Sequence, residues 1–541
     1  MATSRTETPT GSTRTAPAAL WGVYGVVAVV SSVLVLRRPE WERLSDLHIY
    51  YGAIRHLHTG GALYEFVAEN GGPFTYPPFA ALVLSPIGLL PEGALQLGWL
   101  VLTCAAVAAI GIAAGRALAP DRQRRPLVVA ATAVALLLSA PAQSNLRFGQ
   151  VSVFVVLLAL VDGMRLTPAR YRGVLVGIAA AIKLTPLLFV LYFLLARRFR
   201  DAGRALAAFL LCGLVGAAVL PAESVIFWTG TFLNTNRVGN LASLGNQSLH
   251  GMLLRIGVDG ATFPLLWLSL VLVIGGIALL RARRLEFAGQ PAHAAVLVGC
   301  ATVAVSPVSW THHQIWPVLA AMLLIGAYGV ARRVAGAVLL VVMVLSLGAL
   351  LSAVSMTPGL QFLFENSRLL AVVTLCLVGF GGVAVAAVAA GRRTGTARGW
   401  LRVATAAVAG VAFFAVQPLP AGADPTFKAY AMSDVHNPRY FFVCRSAAGC
   451  AAFGAGAPVT FGVTAEKTKV RVNGVVDPAV VARLEYQSAP GGAARTIPLL
   501  EVYPGQRLFS FRSANLSHGR LTAYRADGTP VAVYTEELTA G

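Results

Sequence analysis

Long apolar runs separated by short polar turns occupy the first 420 residues of the chain. A helix needs about 20 apolar residues to cross a bilayer, and eleven runs approach or reach that length. They lie at 18–36, 92–115, 127–141, 151–164, 205–221, 262–280, 292–306, 314–331, 334–355, 369–391 and 404–420. The pattern predicts an all-α polytopic membrane protein with about eleven spans, supplemented by re-entrant or interfacial helices.

A further apolar segment, residues 173–196, carries Lys183 and Pro186 near its midpoint and arginine clusters at both ends. Backbone that is broken at membrane depth has to line a cavity. The segment therefore predicts a re-entrant hairpin of two half-helices that turns near Lys183. A single kinked span is the alternative, and it would place every later loop on the opposite side of the membrane.

The arginine-rich turns predict the sidedness of the chain, since positive residues concentrate in cytoplasmic loops. These turns lie at 116–125, 165–172, 197–204, 281–284, 332–333 and 392–402. The intervening loops are then extracytoplasmic, at 37–91, 142–150, 222–261, 307–313 and 356–368. We expect residues 1–17 to form a disordered cytoplasmic tail, followed by a first span that is retained and begins a membrane domain covering 18–420.

Residues 421–541 are polar, rich in Gly and Pro, and contain alternating runs such as Arg507–Phe511 and Arg520–Tyr524. The Asp527-Gly528 pair between two such runs is typical of a β-hairpin. This part predicts a small extracytoplasmic β-rich domain, with strand spacing typical of a sandwich. In an oxidising compartment Cys444 and Cys450 would form a disulfide, and two free thiols are the alternative.

Composition supports the membrane interpretation. Hydrophobic residues make up 56% of the 541 positions and charged residues only 12%, against about 25% charged residues in soluble domains. The net charge of +20 is concentrated in the turns assigned to the cytoplasm, so it needs no nucleic-acid partner. The chain contains no DxD, HExxH or CxxC motif, and no metal site is expected.

The first loop carries the most informative acidic residue. Ser45 is predicted as the N-cap of an amphipathic helix over 46–58, in which Asp46 and Tyr50 lead the apolar face and Tyr51 lies on the opposite, polar face. An acidic side chain at that position is costly unless it faces a polar cavity or a partner. We interpret Asp46 as a general base directed into a cavity at the membrane surface. A second capping residue, or a partner for Arg43, is the alternative.

Four other polar clusters fall on the same predicted side of the membrane, at 73–78, 145–150, 245–250 and 306–314. Lys183 would be buried among them. A buried ammonium requires an anion, and its own segment contains no acidic residue. A phosphate group is therefore the expected partner of Lys183.

These motifs together resemble glycosyltransferase family 87. The matching blocks are Asp46 with Tyr50, FTYPPFAALVLSP at 74–86, GQVSVFVVLLAL at 149–160, the segment 172–194 that contains IKLTP, and SPVSWTHH at 306–313. Members of that family are membrane enzymes of the GT-C architecture that use polyprenyl-phosphate sugars as donors. They include actinobacterial α-1,2-mannosyltransferases of phosphatidylinositol mannoside and lipoglycan assembly, and arabinofuranosyltransferases of the cell wall. The resemblance covers roughly residues 20–390 and excludes the β-rich tail.

The resemblance implies an inverting transfer from a lipid-phosphate sugar to a lipid-anchored glycan acceptor. The phosphate leaves without protonation, so one carboxylate suffices, and Asp46 is expected to take the proton of the acceptor hydroxyl. Lys183 and Arg147 are expected to bind the donor phosphate without a metal ion, with His312 and His313 contacting the phosphate or orienting the acceptor. The candidates for contacts to the sugars are Tyr50, Tyr76, Gln150, Asn246, Gln247, His250 and Trp310.

Three alternatives remain open from the sequence. The donor sugar is mannose in our leading hypothesis and arabinofuranose in the second, because a hexose and a pentose are contacted by the same residue types. A transporter or flippase of a lipid-linked sugar is a different class, although such proteins usually contain paired halves. In a third hypothesis the β-rich domain is a glycan-binding module and the membrane bundle is its anchor.

Overall fold

The computed structural model describes most of the helical part of the chain and, in shorter stretches, the C-terminal strands. The described residues are 12–38, 43–68, 72–119, 122–233, 241–258, 260, 262–326, 329–345, 347, 357–392, 430–433, 440–446, 449–454, 458–465, 470–477, 479–490, 492–503, 506–513 and 518–535. Up to residue 392 they are mainly α-helical, and from residue 430 onward they form antiparallel strands.

The helices follow the apolar runs of the sequence. In chain order they are α1 (Ser12–Leu36), α2 (Ser45–His58), α3 (Pro78–Leu84), α4 (Glu92–Leu118), α5 (Arg125–Leu138), α6 (Ala140–Phe148), α7 (Ser152–Gly163), α8 (Val174–Ile182), α9 (Leu187–Leu195), α10 (Phe199–Val219), α11 (Pro221–Thr229), α12 (Leu249–Arg255), α13 (Thr262–Phe287), α14 (Pro291–Val305), α15 (Ile315–Ile325), α16 (Val330–Val344), α17 (Pro358–Glu365) and α18 (Ser367–Arg392). Short 3₁₀ turns lie at Ser85–Leu89, Thr231–Leu233 and Thr311–His313.

Four of the described helices, α1, α4, α10 and α13, are long and apolar enough to cross a bilayer. The number rises to six if each of two bent pairs is one span. Helices α5 and α6 meet at 59°, and α17 and α18 meet at 76°. Several predicted spans are short helices instead: α7 has 12 residues and ends at Gly163, and α15 has 11 residues and ends just before Gly326. The total of eleven spans stays a prediction, and the run at 404–420 lies outside the described residues.

The break within residues 173–196 is present as predicted. Helix α8 ends at Ile182, Lys183 is extended with φ −150° and ψ 123°, and α9 begins at Leu187. Asp162 at the end of α7 anchors the start of α8, since its Oδ2 accepts from the backbone N–H groups of Gly173 and Val176 at 3.0 Å each. A carboxylate at a helix N-terminus stabilises that end. The two half-helices are thereby fixed to α7, and Lys183 lies at the gap between them.

Helix α2 differs from the prediction in two respects. Ser45 is not its N-cap: Leu44 occupies that position in the left-handed conformation, with φ 50°, and no side chain caps the helix. Tyr51, placed on the polar face by periodicity, is buried and donates to the carbonyl of Leu90 at 3.1 Å. The reason is that the turn at Ser85–Leu89 packs along the side of α2 that the sequence pattern assigns to solvent.

The C-terminal strands belong to a second compact unit. They are β1 (Tyr430–Ser433), β2 (Tyr440–Ser446), β3 (Gly449–Gly454), β4 (Val459–Ala465), β5 (Val470–Val476), β6 (Arg483–Gln487), β7 (Ala494–Ile497), β8 (Leu500–Tyr503), β9 (Gln506–Ser513), β10 (Arg520–Tyr524) and β11 (Pro530–Tyr534). Two four-stranded antiparallel sheets have the orders β11-β10-β6-β7 and β4-β5-β9-β8, and β1-β2-β3 form a third sheet.

The two four-stranded sheets share one apolar core, which is the arrangement of a sandwich. Phe509 and Phe511 of β9 and Leu484 of β6 are among its buried residues, and the Tyr486 hydroxyl donates a 2.9 Å hydrogen bond to Ser513 Oγ across the core. The Asp527-Gly528 pair forms the predicted hairpin turn between β10 and β11, with Gly528 at φ 83°. In the three-stranded sheet, Cys444 lies opposite Cys450 in the β2–β3 register, and the disulfide stays a prediction.

Candidate active site

Asp46 in the first turn of α2 is contacted by Gln150, which follows the last turn of α6. The Gln150 Nε2 donates a short hydrogen bond to Asp46 Oδ2. Gly149 ends α6 in the left-handed conformation at φ 67°, and a Cβ at that position would lie 2.6 Å from the Cβ of Leu47. Only glycine lets the chain turn this close to α2, so the Gly149-Gln150 pair sets the approach of the amide to the carboxylate.

Two tyrosines extend the contact on the other side of Gln150. The Tyr76 hydroxyl donates to Gln150 Oε1 at 3.0 Å, and the Tyr50 hydroxyl lies 3.0 Å from that of Tyr76. Both rings are buried and meet edge to face, with centroids 5.4 Å apart. Tyr50 and Tyr76, assigned to sugar binding from the sequence, therefore have protein partners in this site.

Ser152 connects Gln150 to the helix break that holds Lys183. Its hydroxyl lies 3.1 Å from Gln150 Oε1 and accepts from the Lys183 ammonium at 3.0 Å. Lys183 Nζ is also 2.7 Å from Nε2 of His313 and 5.3 Å from the centre of the Tyr76 ring. Among the described residues no carboxylate forms an ion pair with Lys183, so this ammonium has room for an external anion.

Burial raises the pKa of Asp46 to about 6, while the hydrogen bond from Gln150 and the charge of Lys183 both act to lower it. A carboxyl group in this range is ionised at neutral pH and remains basic enough to take a proton. Asp46 has no other hydrogen-bond partner in the part of the chain that the structure describes, so its Oδ1 is available to a substrate hydroxyl.

His312 and His313 share one 3₁₀ turn but have different surroundings. Nδ1 of His313 accepts from the backbone N–H of Trp310 at 3.1 Å. Both ring nitrogens of His312 are buried without a partner among the described residues, with its ring edge-on to Phe148 and 4.4 Å from that of His313. Burial, followed by the charge of Lys183, holds the pKa of each histidine well below its usual range.

A small cavity of about 40 Å³ adjoins Lys183. Its polar wall includes Ser152, Thr185, Ser306 and His313, and its apolar wall is formed by α7, α9, α14 and α15. The cavity therefore combines a cation with hydrogen-bond donors on one side and hydrocarbon on the other. Such a lining suits a group in which a phosphate is joined to an apolar chain.

Asn246 and Gln247 have structural partners that the sequence did not reveal. The Asn246 side chain donates to the carbonyls of Leu241 and Pro307 at 2.8 and 3.1 Å and accepts from Ser309 N–H at 2.8 Å. Gln247 bonds in the same way to backbone groups of Leu244, Glu365 and Leu369. Both amides use their hydrogen-bonding capacity to hold loops together, and their assignment to sugar binding stays a prediction with little support in this geometry.

The side chains of His250, Trp310 and Arg147 have neighbours outside the Asp46–Lys183 network. His250 packs edge-on against Phe263 and Trp267, with centroids at 4.7 and 5.4 Å. The Trp310 indole covers Gly245. The Arg147 guanidinium lies over the Phe148 ring at 5.2 Å, and its backbone carbonyl accepts from Leu44 N–H. The structure thus brings together Asp46, Tyr50, Tyr76, Gln150, Lys183 and His313 from the predicted set.

Sequence reasoning assigned no role to two residues of this region. Ser152 links the two halves of the site, and its signal was its position two residues after Gln150, at the start of an apolar helix. Asn145 is fully buried and joins α6 to the histidine turn, donating to the carbonyl of His312 at 2.8 Å and accepting from Val153 N–H. Asparagine with both amide atoms bonded to backbone is typical of a positioning role.

A bundle of apolar helices in which a half-buried carboxylate and an ammonium are linked by hydrogen bonds is typical of a membrane enzyme. Residues 74–307 match the model of glycosyltransferase family 87. A polyprenol-phosphate-mannose-dependent α-(1-2)-phosphatidylinositol mannoside mannosyltransferase of Mycobacterium tuberculosis is 36% identical over 290 residues, which cover 52% of this chain and 68% of that protein. The chain belongs to glycosyltransferase family 87.

Two further relatives come from Mycolicibacterium smegmatis. A protein of the same description is 31% identical over 58% of this chain and 78% of its own length. A polyprenol-phosphate-mannose-dependent α-(1-2)-phosphatidylinositol pentamannoside mannosyltransferase is 34% identical over 51% of this chain and 68% of its own length. No solved structure matches the chain. The protein is therefore a glycosyltransferase, which decides against the transporter alternative.

Proposed function

We propose that this enzyme transfers mannose from a polyprenyl-phosphate-mannose donor to a lipid-anchored glycan of the phosphatidylinositol mannoside or lipoglycan type. The observation that carries the proposal is the link from the Asp46 carboxylate through Gln150 and Ser152 to the Lys183 ammonium. A transfer from a lipid phosphate needs a base for the acceptor and a cation for the leaving group. This network supplies one of each.

In the proposed reaction Asp46 Oδ1 takes the proton of an acceptor hydroxyl while the acceptor oxygen attacks the anomeric carbon. The bond from that carbon to the phosphate oxygen breaks, and polyprenyl phosphate leaves with one more negative charge than the donor phosphodiester carried. A single displacement inverts the anomeric carbon, so a β-linked donor gives an α-linked product. A base placed in this way contributes about 10²–10⁴-fold to the rate.

Lys183 is the proposed ligand of the leaving phosphate, with His313 and the buried ring of His312 as neutral hydrogen-bonding neighbours. Interactions that strengthen as charge develops on the phosphate lower the barrier rather than only the binding free energy. The adjoining cavity, with its apolar wall of α7, α9, α14 and α15, suits the first part of the isoprenyl chain. The proposal also includes that the reaction needs no metal ion and that Arg147 contacts the donor phosphate.

Mannose is preferred to arabinofuranose as the transferred sugar because the relatives described above are mannosyltransferases by name. The family contains enzymes for both sugars, and the hydrogen-bonding residues of the site suit either. The proposal is tested by incubating membranes that contain the protein with each radiolabelled lipid donor. Transfer from the arabinofuranose donor alone would reverse the assignment.

The proposed topology has the N-terminal tail of residues 1–17 in the cytoplasm, a membrane domain over 18–420 with about eleven spans, and a β-rich domain over 421–541 outside the plasma membrane. The basic flanks on both sides of residues 173–196 support a re-entrant hairpin. Thiol labelling of intact cells at single cysteines that replace Ser144 and Arg284 tests this arrangement, because neither side chain is buried. Labelling at position 284 would overturn it, because a single kinked span over 173–196 would place residues 281–284 outside the membrane.

The β-rich domain is proposed to bind glycan and to hold a growing acceptor near the site. Removal of residues 421–541 should then reduce transfer to long acceptors more than transfer to short ones. Equal transfer to both acceptors by the shortened protein would remove the glycan-binding role and leave the assignment of the catalytic domain intact.

The base is tested by Asp46→Asn, with Glu92→Gln as the matched control. Both carboxylates lie in the first turn of a helix, and Glu92 pairs with His48 at 3.0 Å. We expect mannose transfer by Asp46→Asn to fall about 10²–10⁴-fold, with donor binding retained and with the control near the activity of the unmodified protein. Transfer at a normal rate by Asp46→Asn would show that another group is the base.

A further inference from the structure

Gln150 is at the centre of the network, and the network determines which way its amide faces. Its Oε1 lies 3.0 Å from the Tyr76 hydroxyl and 3.1 Å from the Ser152 hydroxyl. An amide oxygen accepts two hydrogen bonds, whereas the amide nitrogen only donates. Since a carboxylate accepts only, the arrangement that satisfies all three neighbours has the nitrogen facing Asp46.

The same reasoning fixes the direction of the outer hydrogen bonds. Tyr76 uses its one hydroxyl proton on Gln150, so Tyr50 is the donor in the 3.0 Å contact between the two tyrosines. Ser152 uses its proton on Gln150 as well, so its oxygen accepts from Lys183. The hydroxyl protons of Tyr50, Tyr76 and Ser152 are therefore all committed, and the carbonyl of Gln150 receives two converging donors.

The backbone holds Gln150 as firmly as its side chain. Its N–H donates to the carbonyl of Asn145 at 3.2 Å, and the preceding Gly149 is confined by the Cβ of Leu47. Gln150 itself is 6% exposed. A side chain with this many partners has lost the freedom to reorient toward a substrate hydroxyl, which argues against the sugar-binding role predicted from the sequence.

We propose that Gln150 is a positioning residue for the general base, whose amide N–H orients the Asp46 carboxylate while its carbonyl connects that carboxylate to the Lys183 phosphate site. The inference rests on the proposed function of Asp46. Fixing Oδ2 directs the lone pairs of Oδ1 toward the acceptor, and a misplacement of about 1 Å in such a group costs on the order of 10²-fold in rate. The Gln150 hydrogen bond also favours the ionised form of Asp46.

The test is the variant Gln150→Leu, which keeps the approximate size of the side chain and removes the amide. We expect kcat for mannose transfer to fall about 10- to 100-fold, with the KM for the lipid donor unchanged. We also expect the acidic limb of the pH dependence of kcat to move to higher pH, because the Asp46 carboxylate loses the amide donor that favours its ionised form. Gln143→Leu is the matched control, since among the described residues the Gln143 amide donates to the carbonyl of Leu137 and not to a member of the network.

A raised KM with an unchanged kcat and an unchanged acidic limb would identify Gln150 as a sugar ligand and overturn the inference. If Gln150→Leu does not fold, Tyr76→Phe and Ser152→Ala each remove one of the two donors that orient the amide. Each should lower kcat by about 3- to 10-fold, which corresponds to the loss of one neutral hydrogen bond. A normal kcat in both would overturn the inference.

The inference and the proposed function fail in different ways. If Asp46→Asn is inactive while Gln150→Leu has a normal kcat and a normal pH profile, the general base stands and its positioning by Gln150 is wrong. If Asp46→Asn is fully active, the proposed base itself is wrong, whatever Gln150→Leu does.

Discussion

The ammonium of Lys183 lies 2.7 Å from Nε2 of His313, a residue 130 positions further along the chain. Neither group is a charge partner for the other, because burial holds the pKa of His313 well below its usual range and leaves the imidazole neutral. No carboxylate among the described residues forms an ion pair with Lys183, so this cation is available to an anionic ligand. This is the arrangement expected at the phosphate end of a lipid-phosphate sugar.

Lys183→Met should raise the KM for the donor and lower kcat together. A hydrogen bond to a charged group contributes about 1.5–3 kcal/mol, so the expected loss in kcat/KM is about 10- to 150-fold. Lys183→Arg should recover part of it, because the positive charge is kept while the geometry changes. Initial rates across donor concentrations measure both constants, and a Met variant with unchanged kcat/KM would contradict the phosphate assignment.

The rate of transfer should depend on pH through Asp46. Burial raises the pKa of this carboxyl to about 6, and only the ionised form accepts the acceptor's proton. The rate is therefore expected to be constant above that pH and to fall about tenfold per pH unit well below it. The charge of Lys183 lowers the pKa of Asp46. The acidic limb of the pH–rate profile should therefore lie at higher pH in Lys183→Met. An acidic limb at the same pH in both proteins would show that the two groups are uncoupled.

His312→Phe should separate activity from stability. Both ring nitrogens of His312 are buried without a partner among the described residues, and an unsatisfied buried polar group costs about 1–3 kcal/mol. The phenyl ring should therefore leave the melting temperature unchanged or raise it, while mannose transfer falls about tenfold or more if the imidazole contacts a substrate. His250→Phe, in an aromatic pocket between Phe263 and Trp267, is the control, and we expect it to retain activity.

Asn246→Ala should destabilise the protein without a selective effect on substrate binding. The Asn246 side chain makes three hydrogen bonds to the backbone of two loops, each contributing about 1 kcal/mol. We expect a loss of about 3 kcal/mol in the free energy of unfolding, followed by thermal melting, and an unchanged donor KM in the protein that remains folded. A normal melting temperature with a raised KM would restore its sugar-binding role.

Much of the helical fold could be predicted from the sequence because each helix is marked locally, by a run of apolar residues and by the residues that interrupt it. Lys183 and Pro186 interrupt such a run, and the helix breaks there. The length of individual helices was harder to predict: α7 and α15 are only 12 and 11 residues long. Hydropathy averages over a window and does not register the residue at which a helix ends.

The burial of Tyr51 was missed for a related reason. Helical periodicity orients a side chain relative to its own helix axis, but the neighbour on that side comes from another part of the chain. The turn at Ser85–Leu89 supplies that neighbour, and the carbonyl of Leu90, directly after the turn, accepts a hydrogen bond from the Tyr51 hydroxyl. The cap of α2 was missed because Leu44 adopts a left-handed conformation, which a leucine rarely does.

The sequence by itself determined that this protein is a helical membrane enzyme with one acidic residue and one lysine in conspicuous places, because both stand out against apolar surroundings. Only the tertiary structure decided that Gln150 and Ser152 join them, since Gln150 lies 104 positions from Asp46 and Ser152 lies 31 from Lys183. The tertiary structure also showed that the side chains of Asn246 and Gln247 form hydrogen bonds with backbone groups of neighbouring loops. An amide side chain has the same sequence signal whether it binds a sugar or a carbonyl, and its hydrogen-bond partner is fixed only when distant segments pack together.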